Sequence, residues 1–214
     1  MIEHEIYNNY FNHLINGEKN ECLAIVDSLL DRNAPIEIIY TQLFQRSLYQ
    51  VGEYWENNRI SVATEHMATA ITENMMIRLQ PRFFTTERTG KKAVIACVAN
   101  EYHQVGAKMI ADIFEMNGWD GFFIGANTPF PELVRFIESK KPDLIGISLS
   151  IYFNLQELKT TLENIRKHFP AIPVLIGGQA FRWGGVEIIQ QFNNIEYIPD
   201  IDRLKEFISN KETL

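Results

Sequence analysis

The sequence holds only two cysteines, Cys22 and Cys97, in 214 residues, and they stand in no CxxC or Cys/His spacing. That excludes a disulfide framework and a structural zinc site. Basic charge is also short: 20 Lys and Arg against 27 Asp and Glu give a formal net charge of -7. Non-specific binding to DNA or to an anionic membrane needs a basic footprint, so neither is expected of the chain as a whole. No apolar run approaches the ~20 residues of a membrane-spanning helix. The start, MIEHEIYNNY, has neither a basic n-region nor an apolar h-region. The expectation is a cytoplasmic chain with no signal peptide. What is present is ordinary for a soluble globular protein: 46% hydrophobic and 22% charged residues. The length suffices for one large domain or two small ones, with a core that needs no staples.

The two halves have different periods. Residues 1–80 carry apolar residues every three to four positions, which predicts helices over about 3–16, 18–32, 35–56 and 61–79. Pro35 suits a first helical turn, and Ser61 suits an N-cap. Four such helices with short connections predict a bundle. Residues 81–92 break the pattern and read as a linker. From 93 to 214 the chain alternates short apolar runs (93–99, 121–125, 144–149, 174–176 and 196–198) with helical patterns (104–117, 131–139, 155–168, 184–192 and 201–209). Continuous apolar runs are typical of buried parallel strands. The alternation predicts an α/β domain with a doubly wound, flavodoxin-like sheet of five parallel strands.

In such a sheet, ligands bind outside the carboxyl ends of the strands at the switch point. The first strand runs into Asn100, Glu101, Tyr102, His103, Gln104, Val105 and Gly106. This loop is neither GxGxxG nor a P-loop, and it lacks the Ser/Thr-rich character that cradles a flavin phosphate. The third strand ends in Ser148-Leu149-Ser150, with no aspartate to receive a phosphoryl group. What remains is a histidine with a carboxylate two residues before it. A metal-ligating imidazole commonly has its second nitrogen held by a carboxylate, although a lone loop histidine is more often simply solvated.

The spacing adds to this. Gly106 is followed by 41 residues (107–147) and then Ser148; Ser150 is followed by 26 (151–176) and then Gly177-Gly178. This pattern resembles the signature DxHxxG, SxL, GG of cobalamin-binding domains. The resemblance implies that His103 is the lower axial ligand of cobalt in place of dimethylbenzimidazole. It also implies that Glu101 orients His103 and that the detached nucleotide tail enters the sheet crevice. Ser148, Ser150, Gly177 and Gly178 would hold the tail, and Tyr102, Gln104, Val105, Gly106, Gln179 and Phe181 join them as cofactor-binding residues. Two positions depart from the pattern: Glu101 stands where the family usually has Asp, and Ser150 where it has Leu.

The helical half resembles the cap of light-responsive cobalamin-binding regulators. Those carry Trp, nine residues, then Glu-His; here Trp55 is followed by 56–64 and then Glu65-His66, with Val62 matching a family Val. The resemblance implies that Trp55, Val62, Glu65 and His66 cover the upper corrin face around a 5′-deoxyadenosyl group. The residue after the cap Trp can be His in that family and is Glu56 here, a poorer ligand for exposed cobalt. Taken alone, Trp55 and Val62 would also read as bundle core, Glu65-His66 as a solvated pair, and Cys22 and Cys97 as small core residues.

Two functions remain open at this point. One is a non-catalytic sensor that binds adenosylcobalamin (methylcobalamin and hydroxocobalamin being alternatives) and signals through a protein partner or homo-oligomer. The other is a corrinoid methyl carrier that serves separate methyltransferases. A bare flavodoxin-like interaction domain ranks behind both. The related regulators carry a DNA-binding domain ahead of the cap and this sequence shows none, so no direct contact with nucleic acid or membrane is expected.

Overall fold

The computed structural model describes residues 1–84 and 87–212. Positions 85 and 86 of the expected linker, and 213 and 214 of the expected α/β domain, lie outside the described residues. The chain divides into two compact units between Phe83 and Phe84.

The helical unit begins with α1 (His4–Asn16). It buries Tyr7, Tyr10, Phe11 and Leu14, an i, i+3, i+4, i+7 face. The helix ends at Gly17, whose φ of 75° is the left-handed cap that glycine adopts cheaply. Helix α2 (Lys19–Asp31) buries Cys22, Val26, Leu29 and Leu30. Pro35 stands just outside the third helix as its N-cap rather than in its first turn. That helix, α3, opens with one α-turn (Ile36–Ile38), continues as π-helix (Ile39–Gln45) and returns to α (Arg46–Glu56). The π segment buries Ile39, Tyr40, Leu43 and Phe44. Helix α4 (Val62–Leu79) starts where the Ser61 side chain accepts the Thr64 N–H at 3.1 Å. Helix α1 packs on α2 and α4, and α3 packs on α4.

A 3-10 turn, Gln80–Arg82, closes this unit. Part of the expected linker is anchored: Thr89 N donates to Gly118 O at 2.8 Å, and Arg88 Nη1 to Trp119 O at 2.8 Å.

The α/β unit alternates β1 (Lys92–Cys97), α5 (Val105–Met116), β2 (Asp120–Gly125), α6 (Phe130–Lys140), β3 (Leu144–Ser148), α7 (Leu155–His168), β4 (Val174–Gly177), a short α8 (Val186–Ile189), β5 (Ile195–Tyr197) and α9 (Ile201–Glu212). All strand pairs are parallel, in the order β2-β1-β3-β4-β5. Strand β1 shows why its run is continuously apolar. Val94, Ala96 and Val98 enter one core with Ile145, Leu158 and Leu162. Ala93, Ile95 and Cys97 enter another with Phe114, Trp119 and Ile208. Each face of a doubly wound sheet is covered, so both sets of alternating side chains are buried. A register shift between Ile95 and Ala96 puts a bulge at the end of β2.

The helix expected over 184–192 is largely replaced. A 3-10 turn, Gln179–Trp183, comes first, and only Val186–Ile189 is helical. Gly184 and Gly185 have φ of 112° and 94°, values that interrupt a right-handed helix. Among the described residues, no helix is long and apolar enough to cross a membrane.

Candidate functional site

Strand order reverses at β1: β2 lies on one side and β3 on the other. The loops leaving β1 and β3 therefore diverge and open a crevice at the carboxyl edge. The β1 loop carries Glu101, which is fully buried at 0% exposure. Its Oε1 accepts from His103 Nδ1 at 2.7 Å and from His103 N at 3.0 Å. Its Oε2 accepts from Ser150 N at 2.9 Å and from Ile151 N at 2.8 Å. Burial alone would raise the Glu101 carboxyl. The bonds from the His103 ring and from the N–H groups of His103, Ile151 and Ser150 outweigh burial and bring it down to about 2. A carboxylate can only accept, so the proton shared with His103 sits on Nδ1. Whenever the ring is neutral, its lone pair is therefore on Nε2, and the ring is half exposed, at 51%.

The neighbouring residues have distinct places. Val105 is buried at 7% and opens α5, with Gln104 as its N-cap residue. Gln104 Oε1 accepts from Ala126 N at 3.3 Å. At Gly106 an added Cβ would meet nothing within 4 Å. The fold itself does not require glycine there, whereas a group lying flat against the helix start would. At Gly178 the reverse holds: φ is 115° and an added Cβ would stand 2.0 Å from Leu149 O. The chain requires glycine because Leu149 and the Gly177-Gly178 pair cross closely, with Leu149 N donating to Gly177 O at 2.9 Å. Ser148 ends β3 and its carbonyl receives Val98 N at 3.0 Å. Gln179 opens the 3-10 turn. Phe181, among the expected cofactor-binding residues, is buried at 6% exposure and packed on Tyr197 with ring centroids 5.1 Å apart. Its apolar ring satisfies the core beneath the crevice.

Three residues at this edge, Ile151, Tyr152 and Phe153, were not anticipated from sequence, whereas Trp183 was expected close to the nucleotide channel. Ile151, Tyr152, Phe153 and Trp183 are exposed large hydrophobics, as is Tyr102. The turns carrying Tyr152 and Phe153 and carrying Trp183 are neighbours. The only sequence signal was an aromatic pair directly after the third strand. In the helical unit, Trp55 and Val62 are exposed at 46% and 51%, which rules out the bundle-core reading. On α4, Val62, Glu65, His66 and Thr69 share one face by their spacing. Thr69 Oγ1 donates to Glu65 Oε1 at 3.0 Å, and His66 Nε2 lies 3.4 Å from Glu65 Oε2.

Among the described residues, no group of three or more His, Cys, Asp or Glu stands ready for a bare ion. One oriented imidazole suits a metal that brings most of its other ligands with it, and the corrin-held cobalt that the sequence resemblance implies is such a metal. The fold and site define a doubly wound α/β domain with an oriented histidine at the carboxyl edge of its sheet.

Comparison with known proteins agrees. Residues 91–197 match a B12 binding domain family, and residues 6–80 match a second family of the same description. The chain belongs to the B12-binding domain proteins, and it binds cobalamin. It is 25% identical over 178 residues to methionine synthase of Mycobacterium tuberculosis, covering 81% of this chain and 15% of that protein. It is 26% identical over 160 residues to the HTH-type transcriptional repressor CarH of Myxococcus xanthus, covering 74% of this chain and 52% of the repressor. The chain therefore spans at most about half the length of these relatives. Its fold resembles that of the monomethylamine corrinoid protein of Methanosarcina barkeri, with a TM-score of 0.80 at 15% identity over 96% of this chain and 98% of that one.

Proposed function

We propose that this chain is a light-responsive sensory module that binds adenosylcobalamin base-off, with His103 as the lower ligand, and signals through a protein partner in the cytoplasm. The observation that carries the ligand assignment is the buried Glu101 carboxylate 2.7 Å from His103 Nδ1. It keeps the proton on Nδ1 and leaves Nε2 as the basic nitrogen. Ser148, Ser150, Gly177, Gly178 and Gln179 border the crevice that takes the nucleotide tail. Bound, the cofactor supplies a cobalt–carbon bond that light can break. The exposed Trp55 and Val62, with Glu65 and His66, support the sensory reading because they present an apolar and polar set suited to an adenosyl group. The likeness to CarH supports the same reading.

The test is the absorption spectrum and elution volume of the adenosylcobalamin-loaded protein before and after green light. Both are expected to change; an unchanged spectrum and volume would remove the photosensor reading. His103→Ala is expected to abolish the nitrogen-ligated spectrum.

A corrinoid methyl carrier is the second reading. It is supported by the likeness to methionine synthase over 81% of this chain and by the fold shared with the monomethylamine corrinoid protein. It predicts methyl transfer from the loaded chain when a methyltransferase and its acceptor are added.

A further inference from the structure

The segment 100–104 is fixed from two sides. The β3 loop holds it through Glu101, as described. The second hold comes from β2. The bulge at the end of β2 and the φ of 92° at Gly125 turn the chain so that Ala126 and Asn127 face the β1 loop. Asn127, itself left-handed at φ 49°, uses both ends of its amide. Its Oδ1 accepts from Asn100 N at 3.1 Å, and its Nδ2 donates to Tyr102 OH at 3.2 Å. These two bonds straddle Glu101. The next residue after His103 is held as well, through the Ala126 N–H to Gln104 Oε1. Asn154 Nδ2 adds a longer bond to Asn100 O at 3.4 Å. Every residue from 100 to 104 is thus tied by a hydrogen bond to a partner outside it or, for His103, to Glu101.

We infer that Asn127, with Gln104, is a positioning residue for cobalt ligation: it ties the Asn100 backbone on one side of Glu101 and the Tyr102 side chain on the other, so that the His103 imidazole is presented in one orientation. A metal-bound histidine depends on the groups that fix its ring, and the loss of such outer partners typically costs ~10–100-fold. Asn127 acts one step further out and at the solvent edge, so its effect is smaller. The inference rests on His103 being the lower ligand, and the test separates the two.

The full chain is loaded with cob(II)alamin, and electron paramagnetic resonance reads the fraction showing splitting from an axial nitrogen. Asn127→Gly removes both side-chain bonds while tolerating the left-handed backbone. It is expected to lower the ratio of His-on to His-off by roughly three- to tenfold relative to wild type. Asn127→Asp, which keeps the acceptor for Asn100 N–H, is expected to recover most of the ratio, and Gln104→Ala to lower it independently. In the cofactor-free chain, imidazole 15N shifts are expected to show His103 with a fixed Nδ1–H in wild type and a mixed tautomer in Asn127→Gly. Nitrogen splitting that is present in wild type and unchanged in Asn127→Gly and Gln104→Ala would overturn the inference. Absence of nitrogen splitting in wild type would overturn the ligand assignment itself.

Discussion

Replacing Glu101 by Gln tests the centre of the site without any cofactor. The substitution keeps shape and removes charge. One carboxylate oxygen becomes an NH2 group, and either the His103 pair or the Ser150 and Ile151 pair then faces a donor instead of an acceptor. Two N–H groups left without acceptors cost about 1–3 kcal/mol each. The displacement of the carboxyl from its ordinary 4.5 to about 2 gives a second route to the magnitude, because that difference corresponds to about 3 kcal/mol at neutral pH. Both point to a loss of about 3 kcal/mol from the α/β unit. The sign of the pH dependence follows. The folded state binds fewer protons than the unfolded state between 2 and 4.5. The stabilisation is therefore complete above about 4.5 and disappears as pH falls through about 2. Urea unfolding of the cofactor-free chain, followed through the buried Trp119, measures both effects. The wild type is expected to lose stability as pH falls below 4.5, and Glu101→Gln to start lower and show a flatter acid limb. A variant within about 0.5 kcal/mol of wild type at neutral pH, with an unchanged acid limb, would refute the four-donor account.

Gly178→Ala puts a Cβ 2.0 Å from Leu149 O at a φ of 115°, so the apo α/β unit is expected to lose about 3 kcal/mol or more in a denaturant titration. Ser61→Ala removes the side-chain acceptor of the Thr64 N–H at the start of α4 and should cost about 1 kcal/mol, read as a lower thermal midpoint. Burial, with Glu21 and Glu18 near Cys22 and Glu101 near Cys97, raises both thiols to about 12. Iodoacetamide at about pH 8 is therefore expected to label them only as the chain unfolds. Trp55→Ala should leave cofactor-free stability within about 0.5 kcal/mol, because the ring is half exposed, while weakening adenosylcobalamin retention measured by gel filtration.

Much of this was legible because it follows from local pattern. The run at 93–99 alternates between two cores, so nothing in it is polar, and that marks a central parallel strand. Glu101 and His103 were visible as a pair, and the longer carboxylate proved able to serve two loops at once. Other features depend on distant partners and leave no local mark. The π segment in α3 is spelled by residues that form an ordinary helix equally well. Asn100 and Asn127 read as generic turn formers, since their pairing requires the β2 bulge to bring them together. Phe181 follows the glycine pair in sequence but turns inward, because the 3-10 turn points it at Tyr197. Gly184 and Gly185 were read as helix-start residues, yet their left-handed backbone is what shortens α8.

The closure of segment 100–104 by two neighbouring loops bears on transplantation. A histidine loop moved alone into another doubly wound sheet would carry its ligand, its carboxylate and the bonds between them, but none of the partners outside the loop. Residues 126–127 and 150–154 belong to the same graft, and so does the bulge that aims Asn127. The loop's length is equally constrained. An inserted residue between Asn100 and Gln104 would break several ties at once, whereas a change in the exposed Tyr102 side chain touches only one.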